Sequence, residues 1–116
     1  MTYDNFTIKA QEAIFKAQQM AGSLDQQQVD TTHLLLSISQ GDEEMSEFLC
    51  NKIGVNPTIL KSRLSEAVKL YPRVEGAEKQ YLTNDANQAL AEAKKLLKEF
   101  GDEFISVELI LVGIMK

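Results

Sequence analysis

The sequence predicts an all-α domain made of two copies of one helical unit, because the chain repeats itself. A shift of 76 residues (82 − 6 and 105 − 29) aligns residues 6–17 with 82–93 and residues 29–38 with 105–114. The loop between the aligned segments therefore has the same length in both copies, which a chance likeness of two helices would not produce. No segment shows the alternating pattern of a strand. We therefore predict a pseudo-twofold arrangement with a groove where the copies meet.

The first helix of each copy is predicted from a threonine followed by apolar residues at spacings of three and four. Thr7 is the expected N-cap of a helix that runs to about Ala21, and Thr83 is its counterpart in the second copy. The stripe that this spacing buries consists of Ala10, Ala13, Ile14, Ala17 and Ala21. Small side chains on such a stripe allow a neighbouring helix to pack closely.

The second helix of each copy follows a polar loop, residues 24–28 in the first copy. Asp30 or Thr31 is the expected cap there, and Ser106 is the expected cap in the second copy. In the first copy this helix carries Leu34, Leu35 and Ile38 and ends at Gly41. Its apolar positions again share one face, so we expect it to pack against the first helix.

Two further helices complete the first copy. One is predicted from about Glu44 to Ile53. The other begins at Pro57, where proline suits a first helical turn, and ends before Pro72. It is expected to bury Leu60, Leu64, Ala67, Val68 and Tyr71.

These elements predict a single domain over residues 1–116. Copy one occupies about 5–72, a connector follows at 73–81, and copy two occupies 82–116. The chain ends before the equivalents of the first copy's last two helices. We therefore expect those two helices to be absent from copy two, and expect some core surface to be exposed as a result.

Composition and charge restrict the partners of the domain. The formal net charge is −5, and Lys94, Lys95 and Lys98 are interleaved with glutamates, so no basic face for nucleic acid is predicted. No apolar run approaches the roughly 20 residues that cross a bilayer, and no secretory signal is visible. A single cysteine forms no internal disulfide, which suits a reducing compartment. We expect a soluble, cytoplasmic, monomeric domain without a nucleic-acid or membrane partner.

Catalytic and metal-binding chemistry has weak support in the sequence. His33 is the single histidine, and its place at a helix start predicts a structural, hydrogen-bonded ring. A small hydrolase using Cys50 with His33 is an alternative, but nothing supplies the third group that would orient the pair. No segment matches the phosphate-loop pattern, so we expect no ATP hydrolysis by that route. We predict no enzyme activity, no metal and no cofactor for the domain.

Three segments carry a resemblance to a known family. They are the duplicated Phe-Thr-x-x-Ala-x-x-Ala unit, the Thr-Thr-His-Leu-Leu-Leu segment at 31–36, and the segment 101–109 with its Gly-Asp-x-Phe-Ile-Ser-x-Glu-Leu order. With them, from about Asn5 to its end, the chain resembles the N-terminal domain of Clp ATPases. The connector at 71–76 is most similar to the ClpB disaggregase branch.

The resemblance implies a substrate-recognition domain ahead of two ATPase modules in a homohexameric machine. Unfolded or aggregated proteins would bind in the groove between the copies and pass to the ATPase pore, ATP being used in the later modules alone. An adaptor protein is a further partner that the resemblance implies. The functional threonine and acidic pair of the disaggregase branch match Thr7, Asp102 and Glu108. The apolar residues expected to line the groove are Leu90, Leu109 and Phe104.

Departures from the family pattern bear on the alternatives. Members that pair with a protease and recognise phosphorylated arginine carry a glutamate just before a histidine in both copies. This chain has Thr32 at the first glutamate position and Leu109 at the second histidine position. These differences favour the disaggregase branch over the adaptor-docking domain of a protease-coupled unfoldase of the ClpA or ClpC type. A helical scaffold without client binding is another alternative, and it predicts no affinity for unfolded chains.

Overall fold

The computed structural model describes residues 3–76, 79–100 and 103–115, and of Phe100 the backbone alone. The elements in chain order are α1 (Ile8–Ser23), β1 (Gln28–Val29), α2 (Thr31–Gly41), α3 (Glu43–Ile53), α4 (Pro57–Lys69), β2 (Tyr81–Leu82), α5 (Asn84–Phe100) and α6 (Val107–Met115). The predicted helical fold class is confirmed. In the described ranges, no helix combines the length and apolarity needed to cross a membrane.

Four helices, α1, α2, α5 and α6, begin directly after residues that were predicted as caps. Thr7, Thr83 and Ser106 each accept a hydrogen bond from the backbone N–H three residues further on, at 3.1, 3.1 and 3.2 Å. Asp30, and not Thr31, caps α2. Each of these side chains satisfies a backbone donor that the first turn of a helix leaves without a partner. Each capping bond joins residues three positions apart, so these helix starts can be predicted from the local sequence.

Two short strand pairings, which the sequence analysis did not predict, join the copies. β1 runs parallel to β2 with Val29 opposite Leu82, and a single parallel bridge joins Phe6 to Ile105. The 76-residue shift converts the first pair into the second, so the pairings are equivalent under the pseudo-twofold relation. A strand of two residues is too short to show an alternating pattern, so these strands could not be predicted from periodicity.

The core is organised around α2, which contacts each of the other five helices in the described chain. Within copy one, the Ser37 hydroxyl on α2 donates to the carbonyl oxygen of Ala13 on α1 at 2.7 Å. The equivalent position in copy two is Gly113 on α6, where a Cβ atom would collide with the carbonyl oxygen of Ala89 on α5. Only glycine permits so close an approach of the two backbones. The helix pairs of the two copies are thus held by different contacts.

Candidate functional site

The two copies meet at two junctions, each between the first helix of one copy and the second helix of the other. At the closed junction, formed by the starts of α2 and α5, Asp30 accepts hydrogen bonds from the hydroxyls of Tyr71 and Thr83, both at 2.6 Å. A further bond of 3.1 Å joins the Tyr71 hydroxyl to Thr32 Oγ1. Tyr71 follows α4, so one carboxylate connects both copies and the end of that helix.

A buried histidine supports the closed junction. The Nδ1 atom of His33 accepts from the backbone N–H of Asp30 at 3.0 Å, so Nε2 carries the hydrogen and donates to Gln26 Oε1 at 2.7 Å. The Gln26 side-chain nitrogen donates in turn to the carbonyl oxygen of Val68 at 2.7 Å. The ring centroids of His33 and Tyr71 are 4.8 Å apart. The prediction of a structural, hydrogen-bonded histidine is confirmed.

The ionisation of these groups matches their hydrogen bonds. Burial raises the pKa of Asp30, but the bonds from Thr83, Tyr71 and the Thr31 N–H outweigh burial, and the pKa of Asp30 lies below its ordinary value. Burial lowers the pKa of His33, against the raising effect of the Asp30 carboxylate. Burial and the bond to Asp30 raise the pKa of Tyr71. Near neutral pH the carboxylate is therefore charged, while the imidazole and the phenol are neutral.

The open junction, formed by the starts of α1 and α6, is a surface groove of about 380 Å³. Thr7 and Ser106 lie in it at the helix caps, and the start of α3 completes its wall. Its charged lining residues are Lys9, Asp42, Glu44 and Glu108, and its apolar lining residues are Ile8, Met45 and Val107. Three carboxylates against one ammonium make the groove negative. The Ile8 side chain is 75% exposed beside them.

Thr7 and Glu108, two of the predicted site residues, come together in the open junction. Leu109 is buried directly after Glu108 and does not reach the groove lining. Phe104 is 52% exposed but lies outside the lining of this groove. Asp102 lies outside the described residues. The structure thus groups the threonine and one of the two acids that the resemblance implied.

The expectation that Leu90 lines the groove needs correction. Leu90 is fully buried on α5, in the hydrophobic core. Its equivalent in copy one, Ile14, is buried in the same core. The periodicity identified the apolar face of the helix correctly. That face packs inside the domain, because α5 lies against α6 and α2.

The hydrolase alternative finds no support in the geometry. Cys50 is buried, and the two ring nitrogens of His33 bind Asp30 and Gln26 instead of a thiol. A nucleophile needs a base within hydrogen-bonding reach, and this histidine is engaged elsewhere. Across the described ranges, no three or more histidine, cysteine, aspartate or glutamate side chains form a group that could hold a metal ion.

Sequence reasoning missed two parts of the site. Asp42 caps α3, but its place in the same groove as Thr7 had no signal in the local pattern. Ile8 was missed because it lies off the buried stripe of α1, where an apolar residue is ordinary. A search for apolar residues on the polar face of the first turn would have found Ile8.

Comparisons with known proteins agree with this fold. The sequence model of the family described as the Clp repeat (R) N-terminal domain matches residues 5–116. The chaperone protein ClpB of Bacteroides thetaiotaomicron is 34% identical over 115 residues, a match that covers 99% of this chain and 13% of that protein. The chain therefore spans a small part of the length of this curated relative. The predicted resemblance is confirmed.

Two solved structures share the fold. The Hsp104 N-terminal domain from Candida albicans matches with a TM-score of 0.85 at 17% identity, over 97% of this chain and 75% of that one. The N-terminal domain of the caseinolytic protease associated chaperone ClpD from Arabidopsis thaliana matches with a TM-score of 0.72 at 23% identity, over 98% and 77%. At these identities the likeness concerns the fold alone.

Proposed function

The chain belongs to the Clp repeat N-terminal domain family, and we propose that it is the substrate-recognition domain of a ClpB-type protein disaggregase. Unfolded or aggregated protein binds in the open junction and passes from there to the pore of the ATPase modules. The parent protein is a cytoplasmic homohexamer that uses ATP in those modules. The present domain contributes binding and no catalysis.

The observation that carries the proposal is the mixed chemistry of the open junction. Ile8 is largely exposed, and Met45 lines the same groove, so an apolar side chain of a client finds apolar surface there. Methionine adapts to differently shaped partners because its side chain is flexible and polarizable. The carboxylates of Asp42, Glu44 and Glu108 accept hydrogen bonds from backbone amides that an unfolded chain leaves free. Such a site recognises unfolded protein without selecting one sequence.

The test is a fluorescence-anisotropy titration of the domain against a permanently unfolded labelled protein and against its folded form. We expect saturable binding to the unfolded form. Ile8→Ser is expected to weaken binding roughly tenfold, because it removes a large part of one apolar side chain from the contact. Ile59→Ser changes the same residue type at an exposed position on α4, outside the groove, and serves as the control.

Equal binding of the folded and unfolded forms, or no binding of either, would contradict the proposal. An equal loss in both variants would place the site elsewhere. Retained helix content and thermal midpoint establish that each variant is folded. Since both isoleucines are exposed, we expect neither substitution to disturb the core.

A second candidate function is adaptor docking in a protease-coupled unfoldase. The observation in its favour is the shared fold with the ClpD domain, whose parent is named a protease-associated chaperone. Thr32 argues against it, because the protease-coupled pattern has a glutamate at that position. The parent sequence separates the two, since the resemblance implies a long coiled-coil insertion in the first ATPase module of a disaggregase.

A further inference from the structure

The open junction continues into a longer groove along α1. Two further grooves lie along this helix, one of about 90 Å³ and one of about 450 Å³. Lys9, Asp42 and Val107 line both the open junction and the smaller groove, and Lys16, Ser37 and Gly41 line both the smaller and the larger groove. The three grooves therefore adjoin one another. We call the two grooves beyond the open junction the α1 groove.

One face of α1 forms a wall of the α1 groove along almost the whole helix. The opposite wall is formed by the end of α2 and by Asp42. α1 has 16 residues and is therefore about 24 Å long. An extended polypeptide of about seven residues has the same length. The α1 side chains that line the groove without being buried recur at spacings of three and four: Lys9, Glu12, Lys16, Gln19, Met20 and Ser23.

The charge of the surface changes sign from one end of α1 to the other. Three carboxylates and one ammonium line the open junction. In the larger part of the α1 groove, Lys16 is charged and all other lining residues are uncharged. Among the residues that the structure describes, none forms a hydrogen bond or an ion pair with the Lys16 ammonium. The far end of the groove therefore complements an anionic side chain.

The geometry relates the two ends of the groove by a fixed distance. Ile8 and Lys16 are 8 positions apart (16 − 8), which is about 12 Å along the helix axis. About four residues of an extended chain cover this distance. Side chains of an extended chain alternate between its two sides, so residues four apart point to the same side. A single extended segment can therefore contact the open junction and Lys16 together.

We infer that a segment of the client polypeptide binds in extended form along α1, with an apolar side chain in the open junction and a carboxylate at Lys16, about four residues away. The open junction supplies the main contact through Ile8 and Met45. The ion pair at Lys16 adds a smaller contribution, because this side chain is exposed to solvent. The inference rests on the proposed function and names the spacing and the charge of the segment that is recognised.

The shape and the charge of the groove distinguish this occupant from others. The middle part has the smallest volume, about 90 Å³, and an α-helix with its side chains is about 10 Å wide. An extended chain is narrower and inserts every second side chain. A basic side chain at the far end would meet the Lys16 ammonium, and an uncharged one would leave that ammonium unpaired. An extended segment with a carboxylate therefore fits best.

The test uses fluorescently labelled Gly/Ser peptides of equal length that carry one leucine and, at the fourth residue from it, glutamate, glutamine or lysine. Two sets place this residue before or after the leucine, and the set that binds better gives the direction of the bound chain. In that set we expect the glutamate peptide to bind roughly threefold more tightly than the glutamine peptide, the effect of an exposed ion pair. The lysine peptide should bind more weakly than both.

Variants at Lys16 sharpen the test. Lys16→Gln should abolish the preference for glutamate, and Lys16→Glu should reverse it in favour of the lysine peptide. Lys94→Glu makes the same charge change at an exposed position on α5, outside the groove, and it should keep the preference. Equal effects of Lys16→Glu and Lys94→Glu would reduce the preference to overall charge and overturn the inference. Retained helix content establishes that each variant is folded.

A nitroxide label next to the glutamate of the peptide tests its position directly. It should broaden the backbone-amide NMR signals of Gln19 and Met20, which lie at the far end of the groove. Broadening confined to other residues would overturn the inference.

The outcomes separate this inference from the proposed function. Equal affinity for the glutamate and glutamine peptides in both sets overturns the inference, while binding of unfolded protein leaves client capture standing. Failure of all peptides with an unfolded protein that still binds also overturns it, because a segment of this length would then not suffice. Failure of the peptides together with failure of the unfolded protein overturns both proposals.

Discussion

The closed and open junctions are equivalent positions of one repeated unit, yet their side-chain contacts differ. At the closed junction, Asp30 binds two hydroxyls from distant parts of the chain, and His33 supports it. At the open junction, Ser106 caps its helix and leaves a groove beside Glu108. The difference shows that a duplicated unit can carry different contacts at equivalent positions. The closed junction joins the copies through hydrogen bonds, and the open junction is the proposed binding site.

The two helix pairs show a second division of this kind. α1 and α2 are joined by the hydrogen bond from Ser37 to Ala13, whereas α5 and α6 pack too closely for any side chain at Gly113. At this pair of equivalent positions, a side-chain hydrogen bond stabilises the helix pair of copy one. Close packing of the two backbones stabilises the helix pair of copy two. Substitutions at equivalent positions should accordingly have unequal effects, and this inequality makes the comparison testable.

The largest effect is expected at Gly113. Gly113→Ala introduces a Cβ atom against the Ala89 carbonyl oxygen, and backbone must move to relieve the clash. We expect a loss of about 3 kcal/mol in the free energy of unfolding. Ser37→Ala, at the equivalent position, removes one hydrogen bond and should cost about 1 kcal/mol. Urea unfolding of both variants measures the difference, and equal losses would contradict it.

A smaller effect is expected at the junction caps. Asp30→Ala removes a helix cap and the acceptor for Tyr71 and Thr83, so we expect a loss of about 2 kcal/mol in the free energy of unfolding. Ser106→Ala removes a cap alone and should cost about 1 kcal/mol. Thermal unfolding followed by circular dichroism measures both. A Ser106→Ala variant as unstable as Asp30→Ala would mean that the open junction is also structural.

The closed junction also makes stability depend on pH. The pKa of His33 in the folded domain lies below its ordinary value of 6.5, so the unfolded chain takes up a proton more readily. The neutral His33 ring therefore makes its full contribution to the free energy of unfolding above about pH 6.5. It is lost as the pH falls through the folded-state pKa. The pKa of Asp30 is also lowered from 3.8, so protonation of its carboxylate causes a further loss of stability at more acidic pH.

We therefore expect the urea midpoint to fall between about pH 7 and pH 5. His33→Leu places at this position the residue that copy two has at Leu109, and it should flatten this fall. The groups that face His33 are Asp30 and Tyr71, and Tyr71 does not titrate in this range. An unchanged slope in His33→Leu would show that another group is responsible.

The sequence predicted the helices and their caps because these depend on nearby residues. Thr7, Thr83 and Ser106 cap as expected, since a cap needs little more than a hydroxyl three residues before a free N–H. The two-residue strands were not predictable in this way. Val29 pairs with Leu82 across a long stretch of chain, and such a pairing is decided by tertiary structure.

The candidate site was predictable in part. The resemblance identified Thr7 and Glu108 as candidate site residues, and both line one groove in the structure. The expectation that Leu90 lines the groove was wrong, because periodicity identifies an apolar face and does not tell whether the core or a groove covers that face. The contribution of Asp42 and Met45 could not be predicted, because the position of α3 relative to α1 depends on packing with α2. The role of Tyr71 at the closed junction needed the side-chain geometry.

The most direct test of client capture at the open junction is a backbone-amide NMR titration of the domain with a permanently unfolded protein. We predict chemical-shift changes concentrated at Ile8, Met45 and Glu108, which line the open junction. The amides of Asp30 and Thr83, at the closed junction, should remain unchanged. Equal changes at both junctions, or changes confined to residues away from the groove, would contradict the proposed division between a structural and a binding junction.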